Sequence, residues 1–479
     1  MRPIIAPLAL VTLLAGCTVG PNYAGPPAAA PKAAKAPHFV RTDAAQTPPT
    51  APVARWWEAL GDPVLNDLVT RALADNPSIA MAQARLRQAR AALRIEKANE
   101  LPSANAQAIY AHAHLPGINL NGNGNGNSGN GSTDLNLYNL GFDASWEIDL
   151  FGGQRRAIQA ARATAGAAEA NLADAQVSLS AEVVQAYVNL RDRQRRIDLN
   201  NRSVQMQERM LTLTQQRYDR GTASRLDVTR LQNQLDSTRA DIPPLNAQLE
   251  AYMDELATLT GDEPGALDER LKPVQPIPLP PAQVAVGDPA VLLQRRPDIR
   301  AAERTLAADT AKIGQAEAAR FPKLSFMGII GIGGSAASDL TKLDDFTALI
   351  APQLSWNFLD FGRNKARVVQ AEGVRDEAEG QYRATVLAAL RDAEDSLSRF
   401  RYRRITVATL ARAKAEADEA LALSEQRYEA GTSTLIDLLD ARRQQITAEQ
   451  NLSQAEAGLT GDFVAVQKAL GLGWAPATS

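Results

Sequence analysis

Arg217-Tyr218-Asp219-Arg220-Gly221-Thr222-Ala223-Ser224-Arg225-Leu226-Asp227 and Arg427-Tyr428-Glu429-Ala430-Gly431-Thr432-Ser433-Thr434-Leu435-Ile436-Asp437 are one pattern written twice, 210 residues apart. Internal repetition outranks local pattern in deciding a fold. Outward from these turns the repetition continues: Trp146, Phe151, Gly152 and Gly261 match Trp356, Phe361, Gly362 and Gly471 at the same offset. Farther upstream, Pro77, Ile79, Ala82, Leu86 and Pro102 match Pro297, Ile299, Ala302, Leu306 and Pro322 at an offset of 220. The first copy therefore carries ten extra residues. They fall in the segment containing Asn119 to Gly131, whose alternating Asn and Gly cannot build a core and predict a solvated loop.

Within each copy the apolar period switches. From Ala104 to Tyr110, Leu140 to Ile148, Leu324 to Ile332 and Phe346 to Phe358 the bulkier apolar residues fall mainly at even positions, with polar residues and Gly between them. That is the period of a strand with one apolar face, and strands are expected at about 103–115, 134–149, 323–334 and 345–358. Pro352 cannot donate to a ladder and belongs at an edge or bulge. On either side the period is helical. The runs from Gly152 to about Asp219 and from Gly362 to about Glu429 predict helices of about 100 Å at 1.5 Å per residue. Each reverses at a Gly-Thr turn and returns through Leu231 to Leu259 or Leu438 to Leu470, with Pro243-Pro244 breaking or kinking the first return. Asp62-Pro63 and Asn76-Pro77 open shorter helices.

Composition narrows the function. Lys+Arg number 51 against 54 Asp+Glu, with no basic segment interleaved with aromatics, so no nucleic-acid partner is expected. Cys17 is the single cysteine, which rules out an intrachain disulfide and a cysteine-based metal site. His38, His112 and His114 supply neither a triad nor a zinc motif, so no enzyme, metal or cofactor is expected. Gly331-Ile332-Gly333-Gly334 superficially resembles a phosphate loop but has no helix after it and reads as a hairpin turn. Met1 to Gly16 carries one charge, Arg2, and an apolar run from Ile4 to Ala15, shorter than the roughly 20 residues of a membrane-spanning helix. It reads as a signal peptide. Leu14-Ala15-Gly16-Cys17 resembles a bacterial lipobox, which implies cleavage before Cys17 and a palmitate-bearing lipid on it; Thr18, rather than Asp, favours the outer membrane.

The expected organisation is then a signal peptide (1–16), a lipidated Pro- and Ala-rich tether (17–55), a first repeat (56–262), a Pro-rich connector (263–289), a second repeat (290–471) and a tail (472–479). A hairpin with one apolar face could be half of a soluble sandwich; an exported, lipidated chain favours a barrel whose strands point apolar residues outward. Four strands cannot close one, because the smallest barrels have about eight. Open edges are not tolerated in lipid, so a membrane-spanning chain must oligomerise.

Cys17-Thr18-Val19-Gly20-Pro21-Asn22-Tyr23, Trp56-Trp57, Asp62-Pro63, Asn76-Pro77, the paired Phe-Gly turns at Phe151 and Phe361, the repeated Arg-Tyr to Asp pattern and the ending Lys468-Ala469-Leu470-Gly471-Leu472-Gly473-Trp474 resemble the TolC-like outer-membrane efflux proteins, in their OprM/NodT-type lipoprotein branch. The resemblance implies a mainly α fold with a transmembrane β portion, in which a homotrimer builds a 12-stranded barrel and a long periplasmic helical barrel. It implies an outer-membrane exit duct for small molecules or drugs, working with a periplasmic adaptor and an inner-membrane pump of RND type. Type I protein secretion and a non-channel coiled-coil tether remain the alternatives.

The resemblance also assigns roles at the tips. Asp437 and Asp440, at i and i+3 on one helical face, match the carboxylates of a periplasmic gate, with Leu435, Leu438 and Leu439 as a second, apolar constriction or as ordinary packing. Repulsion among several copies should raise some of their pKa values. Asp227 and Tyr428 match a latch that holds the tip closed, in which some members have an arginine where this chain has Ser433. Arg217, Gly221, Thr222, Arg427, Gly431 and Thr432 form the expected adaptor-facing tips. Only the second copy carries the carboxylate pair, because Arg230 stands opposite Asp440 in the repeat.

Overall fold

The computed structural model describes residues 18–42, 53–115, 133–341, 344 and 346–474. The expected signal peptide, Cys17 and the Asn119 to Gly131 loop lie outside the described residues, as do residues 43–52 and 475–479. The labelled elements in chain order are α1 (Pro63–Asp75), α2 (Pro77–Ala98), β1 (Ser103–Leu115), β2 (Thr133–Ile148), α3 (Gly153–Asp219), α4 (Arg225–Ala240), α5 (Ile242–Leu259), α6 (Pro289–Arg295), α7 (Pro297–Ala318), β3 (Lys323–Gly334), β4 (Phe346–Ser355), α8 (Arg363–Glu429) and α9 (Leu435–Ala469). In the helices that flank each hairpin the repetition holds to the residue. Helices α2 and α7 have 22 residues each, and α3 and α8 have 67 each.

The chain divides into two compact units. One, formed by Met1–Pro27, Arg87–Ala167 and Glu303–Gln381, carries the sheet. Its strands run antiparallel in the order β1-β2-β3-β4. Even positions face even positions across every ladder: Ala108 pairs with Leu140, Phe142 with Ile330, Trp146 with Phe326, and Gly328 with Ile350. Successive side chains point to opposite faces, so the parity puts most of the bulkier apolar residues of the four strands on one face. Leu140, Phe142, Ile330, Ile350 and Leu354 are exposed there. The opposite face is mixed: Asn105 donates to Asp143 at 3.2 Å and Lys323 pairs with Glu147 at 2.9 Å, while Ile109, Leu137, Met327 and Leu349 are exposed among them. At one end of the apolar face the pattern turns polar, where His112 meets Asn136 at 2.9 Å and His114 meets Asp134 at 2.5 Å. Pro352 stays in register opposite Phe326, on an edge strand as its missing donor requires.

Two expectations are corrected. Gly331 to Gly334 lie inside β3, not in a turn: Gly331 faces Gly141, and a Cβ on Gly141 would come within 2.5 Å of the Ile330 carbonyl. The glycines let two strands approach closely. Strand β4 ends at Ser355 rather than at 358. The twin tryptophans mark the base of each hairpin in the same way, Trp146 Nε1 donating to the Glu100 carbonyl at 3.0 Å and Trp356 Nε1 to that of Arg320 at 3.1 Å.

The other unit, Ala28–Leu86, Ala168–Ala302 and Tyr382–Ser479, holds the main core. Phe39, Trp56, Trp57, Leu65, Leu271, Val286, Phe463 and Leu472 are buried together, so the end of the tether, the first short helix, the connector and the start of the tail all pack here. The tether is accordingly not loose up to residue 42. The Glu394 carboxylate accepts from the backbone N–H groups of Val40 and Arg41, both at 2.8 Å. At the centre, Asp62 caps α1 through the Val64 and Leu65 amides and also accepts from the Tyr187 hydroxyl at 2.6 Å. Arg191 in turn donates to that hydroxyl at 2.8 Å, to the Pro273 carbonyl at 2.8 Å and to Gln194 at 2.7 Å. Burial, and then the bond to Asp62, push the Tyr187 phenol up. In the first return Asp241 separates α4 from α5, whose first turn contains Pro243, whereas α9 runs unbroken for 35 residues.

Tyr187→Phe removes the link between Asp62 and Arg191 but leaves the α1 cap, and should cost about 2 kcal/mol. Asp62→Ala removes both and should lower the thermal unfolding midpoint of the purified protein further.

Candidate gate at the helix-hairpin tips

Both hairpins turn by the same device. The last turn of α3 closes with Gly221 at φ +75°, its N–H donating to the Tyr218 carbonyl, while Thr222 donates through its N–H (2.8 Å) and hydroxyl (3.0 Å) to the Arg217 carbonyl. At the end of α8, Gly431 (φ +72°) and Thr432 do the same to Tyr428 and Arg427. This six-to-one hydrogen bond over a left-handed residue is a Schellman stop. The next helix then starts on a capping box: Ser224 Oγ accepts from the Asp227 amide, and Asp227 accepts from the Ser224 amide and hydroxyl. Thr434 and Asp437 repeat it. Six of the tip residues singled out in the sequence, Gly221, Thr222, Asp227, Gly431, Thr432 and Asp437, thus shape the turn itself. The side chains of Arg217 and Arg427 are exposed.

The carboxylates are partnered locally. Hydrogen bonds from Thr434 hold the Asp437 carboxyl below the usual range. Asp440 accepts from Arg443 at 2.7 Å and from Gln444 at 2.8 Å, and these bonds lower its pKa, with Asp437 pushing weakly the other way. Within one protomer the direction is opposite to that expected from several copies facing one another. Leu435 is buried, Leu438 and Leu439 half-buried. Among the described residues no hydrogen bond joins Asp227, Tyr428 and Ser433: Asp227 serves its own cap, Tyr428 is half-buried, and the buried Ser433 hydroxyl has no partner. The sequence reading missed the capping boxes, whose signal is Ser or Thr three residues before an acidic residue.

A second arrangement, which the sequence did not reveal, seats the N-terminal segment in the unit that carries the sheet. The Val19 amide donates to the Phe151 carbonyl at 3.1 Å, and the buried Arg156 donates to the carbonyls of Val19 and Gly20 at 3.1 and 2.8 Å. Thr18 rests on Gly152, where a Cβ would meet the Thr18 Cα at 2.8 Å, and Gly20 rests on Gly314. Phe151 stacks on Phe321 beside it, ring centroids 4.6 Å apart.

A family model for outer membrane efflux proteins matches residues 68–262 and 289–472, one segment on each copy. The chain belongs to that family. Nodulation protein T of Rhizobium leguminosarum bv. trifolii is 30% identical over 464 residues, covering 97% of this chain and 96% of its own. The pyoverdine export outer membrane protein OpmQ of Pseudomonas aeruginosa is 30% identical over 472 residues, 97% of each chain. The solved outer-membrane channel OprN has a TM-score of 0.85 at 34% identity, over 95% of this chain and 99% of that one. This outer membrane efflux protein therefore has a mainly α fold with a membrane sheet and resides in the outer membrane; its family is one of efflux components, not of enzymes.

Two measurements test these sites. Thr434→Ala should speed hydrogen exchange at the Asp437 amide and leave the Asp227 amide unchanged. Because the Asp437 pKa is depressed by folding, the cap is complete above the ordinary aspartate value of about 3.9 and is lost as the pH falls through the lower folded value. Gly152→Ala should free the N-terminal segment and speed exchange across residues 18–23. Its twin Gly362→Ala, equally strained at φ +85° but with open space around the added carbon, should not.

Proposed function

We propose that the chain is one protomer of a homotrimeric efflux channel, the passive exit duct of a tripartite system with a periplasmic adaptor and an inner-membrane pump of RND type. The observation that carries this reading is a four-stranded sheet with one exposed apolar face and two unpaired edges, continued by two helices of 67 residues. Three copies would supply twelve strands, enough for a closed barrel, and helices of about 100 Å reach far beyond a bilayer. Cys17 carries the lipid, and the seat that holds Thr18 to Gly20 against Phe151 and Arg156 would keep that anchor at the base of the sheet.

The gate is formed at the tips, where three copies of Asp437 and Asp440 ring the axis, with Leu438 and Leu439 behind them. Opening is a repacking of the helix pairs, favoured by an adaptor that binds the open form more tightly. The exposed Arg217 and Arg427 beside the two Gly-Thr turns supply the adaptor-facing surface. Tyr428 and Asp227 would act as a latch only after the Asp227 carboxylate leaves its cap. Small-molecule export agrees with the relatives, among them the export protein OpmQ.

Asp437→Ala combined with Asp440→Ala should raise single-channel conductance in planar bilayers and weaken block by multivalent cations severalfold. Unchanged conductance and block would reject the gate; absence of a conducting trimer would reject the channel.

A further inference from the structure

The two unpaired edges of the sheet, and the repeat that built them, determine how neighbouring copies join. Applied to the first hairpin, the repeat moves β1 by 220 residues and the end of β2 by 210. Ser103 faces Ser145 in the first hairpin, so Lys323 should face Ser355 in the second, and it does. Ala108 faces Leu140, whose images Gly328 and Ile350 also face each other. The repeat therefore carries strand register from one copy to the other without slip.

The same operation can be applied to the seam between the copies, β2 against β3. There Ile148 faces Leu324, Trp146 faces Phe326, and Phe151 stacks on Phe321. Moving β2 forward by 210 and β3 back by 220 places β4 of one chain against β1 of another. We infer that neighbouring protomers pair β4 with β1 in one register, Phe358 opposite Ala104, Trp356 opposite Ala106 and Leu354 opposite Ala108, with Phe361 of one chain seated on Leu101 of the next. This rests on the trimer reading above and specifies its interface.

Three independent features agree. Phe361 and Leu101 are 86% and 66% exposed, whereas Phe151, the image of Phe361, is half-buried by its stack on Phe321. Strand β4 stops at Ser355 although its even-position apolar pattern runs on through Trp356 and Phe358. In the first copy the corresponding residues, Trp146 to Ile148, pair with β3 and have no partner on β1, so their images lack a ladder until another chain supplies β1. Finally, the seam residues exchange sides. Arg156 on α3 lies against Gly314 on α7; their images are Ala366 on α8 and the exposed Arg94 on α2. A long cationic side chain therefore faces a small residue at both seams, contributed in the second case by the neighbour. Parity continues too, which keeps the apolar face uniform around the ring; a slip of one residue would turn one strand's apolar set inward.

The test is disulfide formation in the full-length protein in its membrane, read as covalent dimer and trimer on a denaturing gel. On the mixed face the register places Ser355 opposite Gln107. Ser355→Cys with Gln107→Cys should crosslink between chains at least tenfold faster than Ser355→Cys with Asn105→Cys or with Ile109→Cys. Phe361→Cys with Leu101→Cys should also give intermolecular species, whereas the internal pair Phe151→Cys with Phe321→Cys should give none. Faster crosslinking at Asn105 or Ile109 overturns the register while leaving a trimeric channel intact. Intermolecular bonds from the internal pair overturn the seam assignment. A protein that native mass measurement finds monomeric in detergent and that does not conduct overturns the trimer itself, a separate outcome from a shifted register.

Discussion

A peptide group in hydrocarbon has nowhere to place its hydrogen bond except another peptide group. That constraint explains why the membrane portion is a sheet whose edges must be consumed, and why the ladder parity has to be the same on all four strands. With most of the bulkier apolar residues on one face, the opposite face is free to carry Asn105, Asp143, Glu147 and Lys323, residues that a two-sided packed sheet could not bury so cheaply. The helices follow a different rule. They bury mainly Ala and small polar groups along their length, and the larger aromatic and aliphatic residues gather in one core, where Trp56, Trp57 and Phe463 meet.

Duplication lets one solution serve twice, and the departures from it are instructive. Trp146 and Trp356 make the same bond to equivalent carbonyls, and Gly221 and Gly431 make the same stop. Yet only the first seam holds the N-terminal segment, because only there does Arg156 grip two backbone carbonyls while Gly152 and Gly314 leave room for the chain. Symmetry is kept where the backbone requires it and given up where one copy carries a feature of its own, the seat of the N-terminal segment at Arg156 or the second carboxylate at Asp440.

The repeat, the strand parity, the long helices and the break at Pro243-Pro244 were legible because each is a periodicity or a stop that one sequence displays alone. The role of the glycines at 331 to 334 was not legible: a turn and a close strand-to-strand approach both favour Gly, and only the register distinguishes them. The seat at Arg156 was hidden for a different reason, since it joins residues 137 positions apart through backbone carbonyls that carry no side-chain signature. At the tips, residue identity exposed the Gly-Thr turns and the carboxylates, but not that Asp227 and Asp437 cap their own helices. The lowered pKa of Asp440 depends on rotamers that bring Arg443 and Gln444 to it, which spacing alone does not fix.

The interruption at Asp241 has a mechanical side. An unbroken helix such as α9 passes a displacement at its tip along its whole 35 residues, as a stiff rod does. The first return is interrupted at Asp241, between Ala240 and Ile242, so the same displacement would meet a break in the rod before the core around Leu256 and Leu271.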